Sequence, residues 1–230
     1  MDTSNGAVEY LKERQEMIAT CLRMWSLGYF IGTWGNISVR VEEGFLITPT
    51  RVDYDAMRPE DIVLMSLSGR RLEGERLPSS ETELHRAFYQ KFEDAKAVIH
   101  THSRMASALS ALHMGIPLVT EDMAQIIGGA VRCSNYVPGG RHVQLGEEAM
   151  KTIGEARAVI LANHGVVCAG ASLQEASIAC EIVEKSAGIT ISCLSTGKSI
   201  HEISREYGQE ERERYLTKYG KAADFLGGEH

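Results

Sequence analysis

The 230-residue chain has no excess of positive charge, no long apolar run and no pair of cysteines at C-x-x-C spacing. Lys and Arg total 24 against 31 Asp and Glu, for a net charge of -7. General nucleic-acid binding needs a basic face and is not expected; a local site for an anion remains open. A bilayer-spanning helix needs about 20 apolar residues in succession, and no segment supplies them, so no membrane partner is expected. Cys21, Cys133, Cys168, Cys180 and Cys193 are odd in number and widely spaced, which points to reduced, buried thiols in a cytoplasmic protein. The first residues carry Asp2, Glu9 and Glu13 rather than an apolar core, so no secretory signal is expected. Repeats, low-complexity stretches and linkers are missing too.

What is present is ordinary for a globular chain: 43% hydrophobic and 24% charged residues. The length fits one large domain or two small ones. Without a linker the expectation is one domain over 1–230 with a C-terminal helical tail from about 197. Val8, Leu11, Met17, Ile18, Cys21, Leu22 and Trp25 recur at helical spacing and predict an opening helix over 7–28, stopped by Gly28. Thr33-Trp34-Gly35-Asn36 reads as a turn, and residues 37–41 and 44–48 as a strand hairpin. A strand is expected over 61–67. Ser80 and Glu83 stand as a capping box before an apolar-periodic helix over 84–92. Short strands follow over 97–101, 130–134, 157–162 and 166–169, with helices over 104–114, 173–194 and 201–219. Many short strands interleaved with helices and joined by hairpin-like turns imply an α/β fold with a largely antiparallel sheet.

Chemistry-bearing residues cluster in a few motifs. In His100-Thr101-His102 the two imidazoles are two residues apart, so a strand puts both on one face. His164 sits in an Asn163-His164-Gly165 turn between two apolar strands, where Gly165 is free to take a positive φ. Glu81 lies at a helix start, where a carboxylate also serves as a dipole partner. Three imidazoles and an acid form a catalytic-metal set with an open position, zinc being the natural ion; such an ion acts as a Lewis acid on a carbonyl oxygen. Gly35-Asn36, Thr48-Pro49-Thr50 and Ser79-Ser80 offer hydroxyls, amides and turn N–H groups fit to cradle a phosphate.

Gly32-Thr33-Trp34-Gly35-Asn36-Ile37-Ser38, Leu46-Ile47-Thr48-Pro49-Thr50, Pro78-Ser79-Ser80-Glu81, His100-Thr101-His102 and Ala162-Asn163-His164-Gly165, in this order, resemble the class II aldolase and sugar-phosphate 4-epimerase family from about residue 7 to about 195. The resemblance implies a three-layer α/β/α fold around a mostly antiparallel sheet. It implies one zinc per subunit on His100, His102 and His164, and a phosphate held by Asn36, Thr50, Ser79 and Ser80, with Gly35 in the same turn. It implies Glu81 as acid/base, and a homotetramer with sites at subunit interfaces. Arg51 stands where the aldolase branch has glycine, and its guanidinium is a further candidate for the phosphate. Glu121 aligns near an aldolase tyrosine and Asp122 near an acid of the epimerase and dehydratase branches, which makes both candidate catalytic groups. The expected activity is reversible cleavage of a ketose phosphate to dihydroxyacetone phosphate and an aldehyde through a metal-stabilised enediolate, with epimerisation, dehydration or decarboxylation, and more remotely a non-catalytic interaction role, as alternatives. The tyrosines of the last helix, Tyr207, Tyr215 and Tyr219, are candidates to cover a neighbouring subunit's site.

Overall fold

The computed structural model describes residues 9–219. Among them eight strands form one sheet: β1 (Asn36–Arg40), β2 (Phe45–Ile47), β3 (Val63–Met65), β4 (Arg71–Glu73), β5 (Ala97–Thr101), β6 (Arg132–Cys133), β7 (Ala158–Leu161) and β8 (Gly165–Gly170). Their order is β4-β3-β2-β1-β5-β8-β7-β6. Every pairing is antiparallel except that of β6 with β7.

The pleat sends alternate residues to opposite faces, and each face has its own core. Ile37, Leu46, Leu64, Ile99, Ile160 and Val166 belong to one, which also takes residues of helices α1 (Leu11–Ser26), α3 (Arg104–Ala111) and α5 (Leu173–Ser195). Phe45, Ile47, Val63, Val98, Val159 and Val167 belong to the other, packed under α2 (Thr82–Lys91) and α4 (His142–Ile153). The three layers expected from the motifs are therefore present. A last helix, α6 (Arg205–Thr217), lies against a π-helical turn at Met123–Ile127, where Gln125 bonds Glu211 and Arg212 bonds the Ile126 carbonyl.

Several local expectations are corrected. The opening helix begins at Leu11 in the described residues; the start of the expected 7–28 span falls partly outside them. Its buried stripe is Met17, Cys21 and Met24, while Leu11, Leu22 and Trp25 face outward. Met17 and Cys21 of the expected stripe are buried and Ile18 packs against the same core; hydrophobicity alone did not separate them from Leu11, Leu22 and Trp25, because apolar residues occur on both sides of this helix. The Ser80–Glu83 capping box does not form: the helix is capped at Glu81, and Glu83 pairs with Arg86 one turn on. The expected strands over 61–67 and 130–134 shrink to three and two residues. The helix over 142–153 and the edge strand over 71–73 were not foreseen. Leu145, Ala149 and Ile153, all buried, carry the helical repeat that would have marked the first. No described helix is long and apolar enough to cross a membrane.

Candidate active site

Sheet register assembles the site. Asn36 is paired with His100 across β1 and β5, and His100 is paired with Val167 across β5 and β8. The β7–β8 hairpin turns at 162–164, so His164 emerges beside the end of β5. Asn163 supplies the left-handed residue of that turn (φ 54) and bonds His113 through its side chain. Gly165 is needed for another reason than the expected positive φ. A Cβ there would sit 2.4 Å from the Thr101 carbonyl oxygen and 3.1 Å from the His100 ring, so the absent side chain lets β8 approach β5 and brings the histidines together.

The rings of His100, His102 and His164 lie 4.7 to 5.2 Å apart between centroids. One ligand-capable atom from each falls within 4.8 Å of the others. His100 Nδ1 faces the Val166 carbonyl oxygen at 3.1 Å, which places its proton there and leaves the Nε2 lone pair toward His102 Nε2, 3.0 Å away. The remaining His102 ring nitrogen has the His164 backbone as its hydrogen-bond partner. Two lone pairs converging on one point is the arrangement a cation satisfies, so the donor set fits a divalent metal. Burial pulls the His100 pKa down to about 4. Burial and the two neighbouring imidazoles pull His102 down to about 3. Both are neutral near pH 7, as ligation requires.

Glu81 closes the group. Its Oε1 lies 3.0 Å from His164 Nε2, its Oε2 lies 3.3 Å from His100 Nε2, and the latter accepts a 2.7 Å hydrogen bond from the Asn36 amide. Burial opposes its ionisation. His100, His164 and Asn36 outweigh that and hold the carboxyl well below the usual carboxylate range.

The phosphate-cradle candidates share a cavity of about 570 Å³ with Glu81, His102 and His164. Pro49 and Pro78 bridge two chain segments, with the Ser79 N–H donating to the Thr48 carbonyl and the Thr50 N–H to the Leu77 carbonyl; this sets Thr50 and Arg51 beside Ser79 and Ser80. Gly35 sits at φ 124, and a Cβ would lie 2.1 Å from the Phe30 ring; only glycine fits there. The opposite wall is the segment 136–142 leading into α4, including Tyr136, Arg141 and His142, none of which the motifs singled out. Glu121 and Asp122 do not line this cavity. Asp122 pairs with Lys185 of α5, and among the described residues Glu81 is the only carboxylate in the lining. Tyr215 of α6 and Tyr219, just past its end, set their rings 5.7 Å apart at a tilt of 40°, and both also lie outside the cavity.

Residues 15–191 match the family described as class II aldolase and adducin N-terminal domain, and the chain belongs to that family. It is 38% identical over 189 residues to 5-deoxy-D-ribulose 1-phosphate aldolase of Bacillus thuringiensis serovar kurstaki, covering 81% of this chain and 88% of that protein. It is 33% identical over 213 residues to L-fuculose phosphate aldolase of Escherichia coli (strain K12), covering 93% and 98%. A solved structure of L-fuculose 1-phosphate aldolase superposes with a TM-score of 0.84 at 32% identity, over 91% of this chain and 98% of that one.

Proposed function

We propose that the chain is a metal-dependent aldolase that reversibly cleaves a ketose phosphate to dihydroxyacetone phosphate and an aldehyde. The observation that carries this reading is Glu81 set 3.0 and 3.3 Å from two of three convergent imidazoles, in a cavity that also holds a hydroxyl and amide cradle. The family and the relatives named as ketose-phosphate aldolases support it over the 4-epimerase alternative.

The phosphate is assigned to Asn36, Thr50, Arg51, Ser79 and Ser80, whose hydroxyl, amide and guanidinium groups donate to its oxygens. Gly35 keeps that turn open. A divalent cation held by His100, His102 and His164, zinc by the preference of an imidazole set, would withdraw electron density from the substrate's carbonyl oxygen. Glu81, ionised and tethered, removes the proton from the carbon of dihydroxyacetone phosphate in the condensation direction and returns it in cleavage. The proton on the departing aldehyde oxygen needs a second carrier. Glu121, Asp122 or a tyrosine of α6 can serve only if another subunit brings it to the cavity. A homotetramer with sites at its interfaces is accordingly part of the proposal. It is supported by Trp34 and Tyr136, which line the cavity yet are 66% and 55% exposed, large rings available to a partner surface. A cytoplasmic location belongs to the same reading.

The test is release of dihydroxyacetone phosphate by zinc-loaded protein from a panel of ketose 1-phosphates that includes 5-deoxy-D-ribulose 1-phosphate and L-fuculose 1-phosphate. Release that stops with a chelator and returns with zinc is expected. Conversion of a pentulose phosphate to its epimer, with no triose released from any substrate, would replace the aldolase reading by the epimerase one.

A further inference from the structure

Behind Glu81 runs a buried chain of side-chain hydrogen bonds that no motif indicated. His85, four residues on and thus on the same side of α2, is fully buried. Its Nε2 lies 2.5 Å from Asn36 Oδ1 and its Nδ1 2.6 Å from Ser38 Oγ; Ser38 Oγ lies 2.8 Å from the Tyr89 hydroxyl. Ser38, His85 and Tyr89 are all nearly inaccessible to solvent, so each relies on its side-chain partners in the chain.

The direction of every bond in it follows from the Asn36 end with a neutral His85 ring. Asn36 donates from its Nδ2 to Glu81 Oε2, which turns its Oδ1, an acceptor, to His85. Ser38 has one hydroxyl proton, which goes to His85, so the Tyr89 hydroxyl is left to donate to Ser38 Oγ. Ser38 then donates to His85 Nδ1, and His85 Nε2–H donates to Asn36 Oδ1. The reverse order would set two acceptors face to face at Glu81. A neutral ring is required throughout, and burial keeps His85 neutral, with its pKa near 4.

We propose that His85, protonated on Nε2, is a positioning residue for the reaction: it locks the Asn36 amide with its nitrogen toward Glu81 and so holds the base carboxylate in its reactive orientation. This rests on the reading of Glu81 as the base. The lock matters most in the metal-loaded enzyme. Imidazoles that give their lone pairs to a cation no longer have an Nε2–H to donate to Glu81, and Asn36 becomes its remaining side-chain donor among the contacts described. Without His85 the amide is free to flip and offer Oδ1 instead, an acceptor against an acceptor.

Three measurements on zinc-loaded protein test the lock. The first is a long-range proton–nitrogen correlation spectrum of the ¹⁵N-histidine-labelled wild type, in which His85 should carry its proton on Nε2; a proton on Nδ1 overturns the proposal without any variant. The second is exchange of the dihydroxyacetone phosphate C3 proton with deuterated water, which reads the base step whatever the aldehyde partner. His85→Leu should slow exchange by roughly 10- to 100-fold, the scale of a misplaced catalytic group, with dihydroxyacetone phosphate affinity and one zinc per chain retained. His85→Gln, whose amide nitrogen can replace Nε2, should recover most of the rate. A wild-type rate in His85→Leu, or no recovery in His85→Gln, overturns the lock. The third is Glu81→Gln. Undiminished exchange there would remove Glu81 as base, whereas lost exchange in Glu81→Gln with a wild-type rate in His85→Leu would reject the lock alone.

Discussion

Asn36 and His100 are register partners on adjacent strands, so one backbone pairing fixes both the hydrogen-bond donor to Glu81 and the innermost imidazole of the three-histidine cluster. A shift of β1 against β5 by one residue would turn Asn36 away from the site altogether. The proposed metal ligands and the proposed acid/base are in this sense held by one sheet register, and the predictions below separate their parts.

Metal binding should depend on the histidines and not on the acid. Purified protein is expected to carry one zinc per chain by elemental analysis. His100→Ala and His164→Ala should each empty the site, and Glu81→Gln should keep it filled while turnover falls by roughly 100-fold or more. Full occupancy in both alanine variants would end the assignment.

Gly165→Ala should be costly despite its small size. The added Cβ meets the Thr101 carbonyl oxygen at 2.4 Å, and backbone cannot swing away as a side chain can. Overpacking of this kind costs about 1–3 kcal/mol, read as a lower urea midpoint, and should weaken zinc affinity because His164 moves with the strand. Unchanged stability together with unchanged zinc affinity would contradict the close-approach argument.

Arg51 occupies a left-handed backbone conformation at φ 58, which costs a non-glycine residue about 1–2 kcal/mol. Arg51→Gly should therefore raise the melting temperature while raising KM for the phosphorylated substrate about tenfold, through loss of the guanidinium. A stabilised variant with an unchanged KM would show that Arg51 does not touch the phosphate.

Stability should fall on the acid side. Burial depresses the His85 pKa from 6.5 to about 4, so the unfolded chain takes up this proton first as pH drops. The contribution is complete above pH 6.5 and is lost progressively toward pH 4, at about 1.4 kcal/mol per pH unit for the one proton. Urea denaturation of metal-free protein across this window should show a shallower loss in His85→Leu than in the wild type. Equal slopes would mean that His85 is not buried in the neutral form.

The proposed sharing of sites between subunits makes a mixing prediction. Asp122→Asn is expected to keep zinc and lose turnover, and co-expression with Glu81→Gln should restore activity in mixed oligomers, because some sites then combine an intact Glu81 with an intact Asp122 from another subunit. Wild-type turnover in Asp122→Asn would confine Asp122 to its pairing with Lys185. A monomer with full activity by light scattering would remove the interface from the mechanism.

The sequence was most legible where chemistry demands particular residue types at fixed spacing. His100 and His102 are two apart, Ser79-Ser80-Glu81 stand together, and the Thr48-Pro49-Thr50 turn is short. Legibility failed where a residue's role depends on what lies across the sheet. His85 looks like any helical histidine until β1 places Asn36 and Ser38 against it. Gly165 reads as a turn glycine, yet it serves strand approach. The 136–142 wall is irregular chain, and its location follows from the packing of α4 on α2, which no local pattern encodes. Asp122 reads as a site acid in the sequence, and within its own chain the fold gives it to Lys185.

Gly146 lets α4 lie directly on the Glu83 backbone of α2, and the N-cap of α2, Glu81, and the first residue of α4, His142, border the cavity. The two helices thus aim their partial positive ends into a common space, on a protein whose net charge is -7. A dianionic triose phosphate would meet, against that average negative charge, a locally favourable field at this opening. The expected consequence is kinetic: if the local field funnels capture of an anionic substrate, adding salt slows productive encounter more than the chemistry that follows.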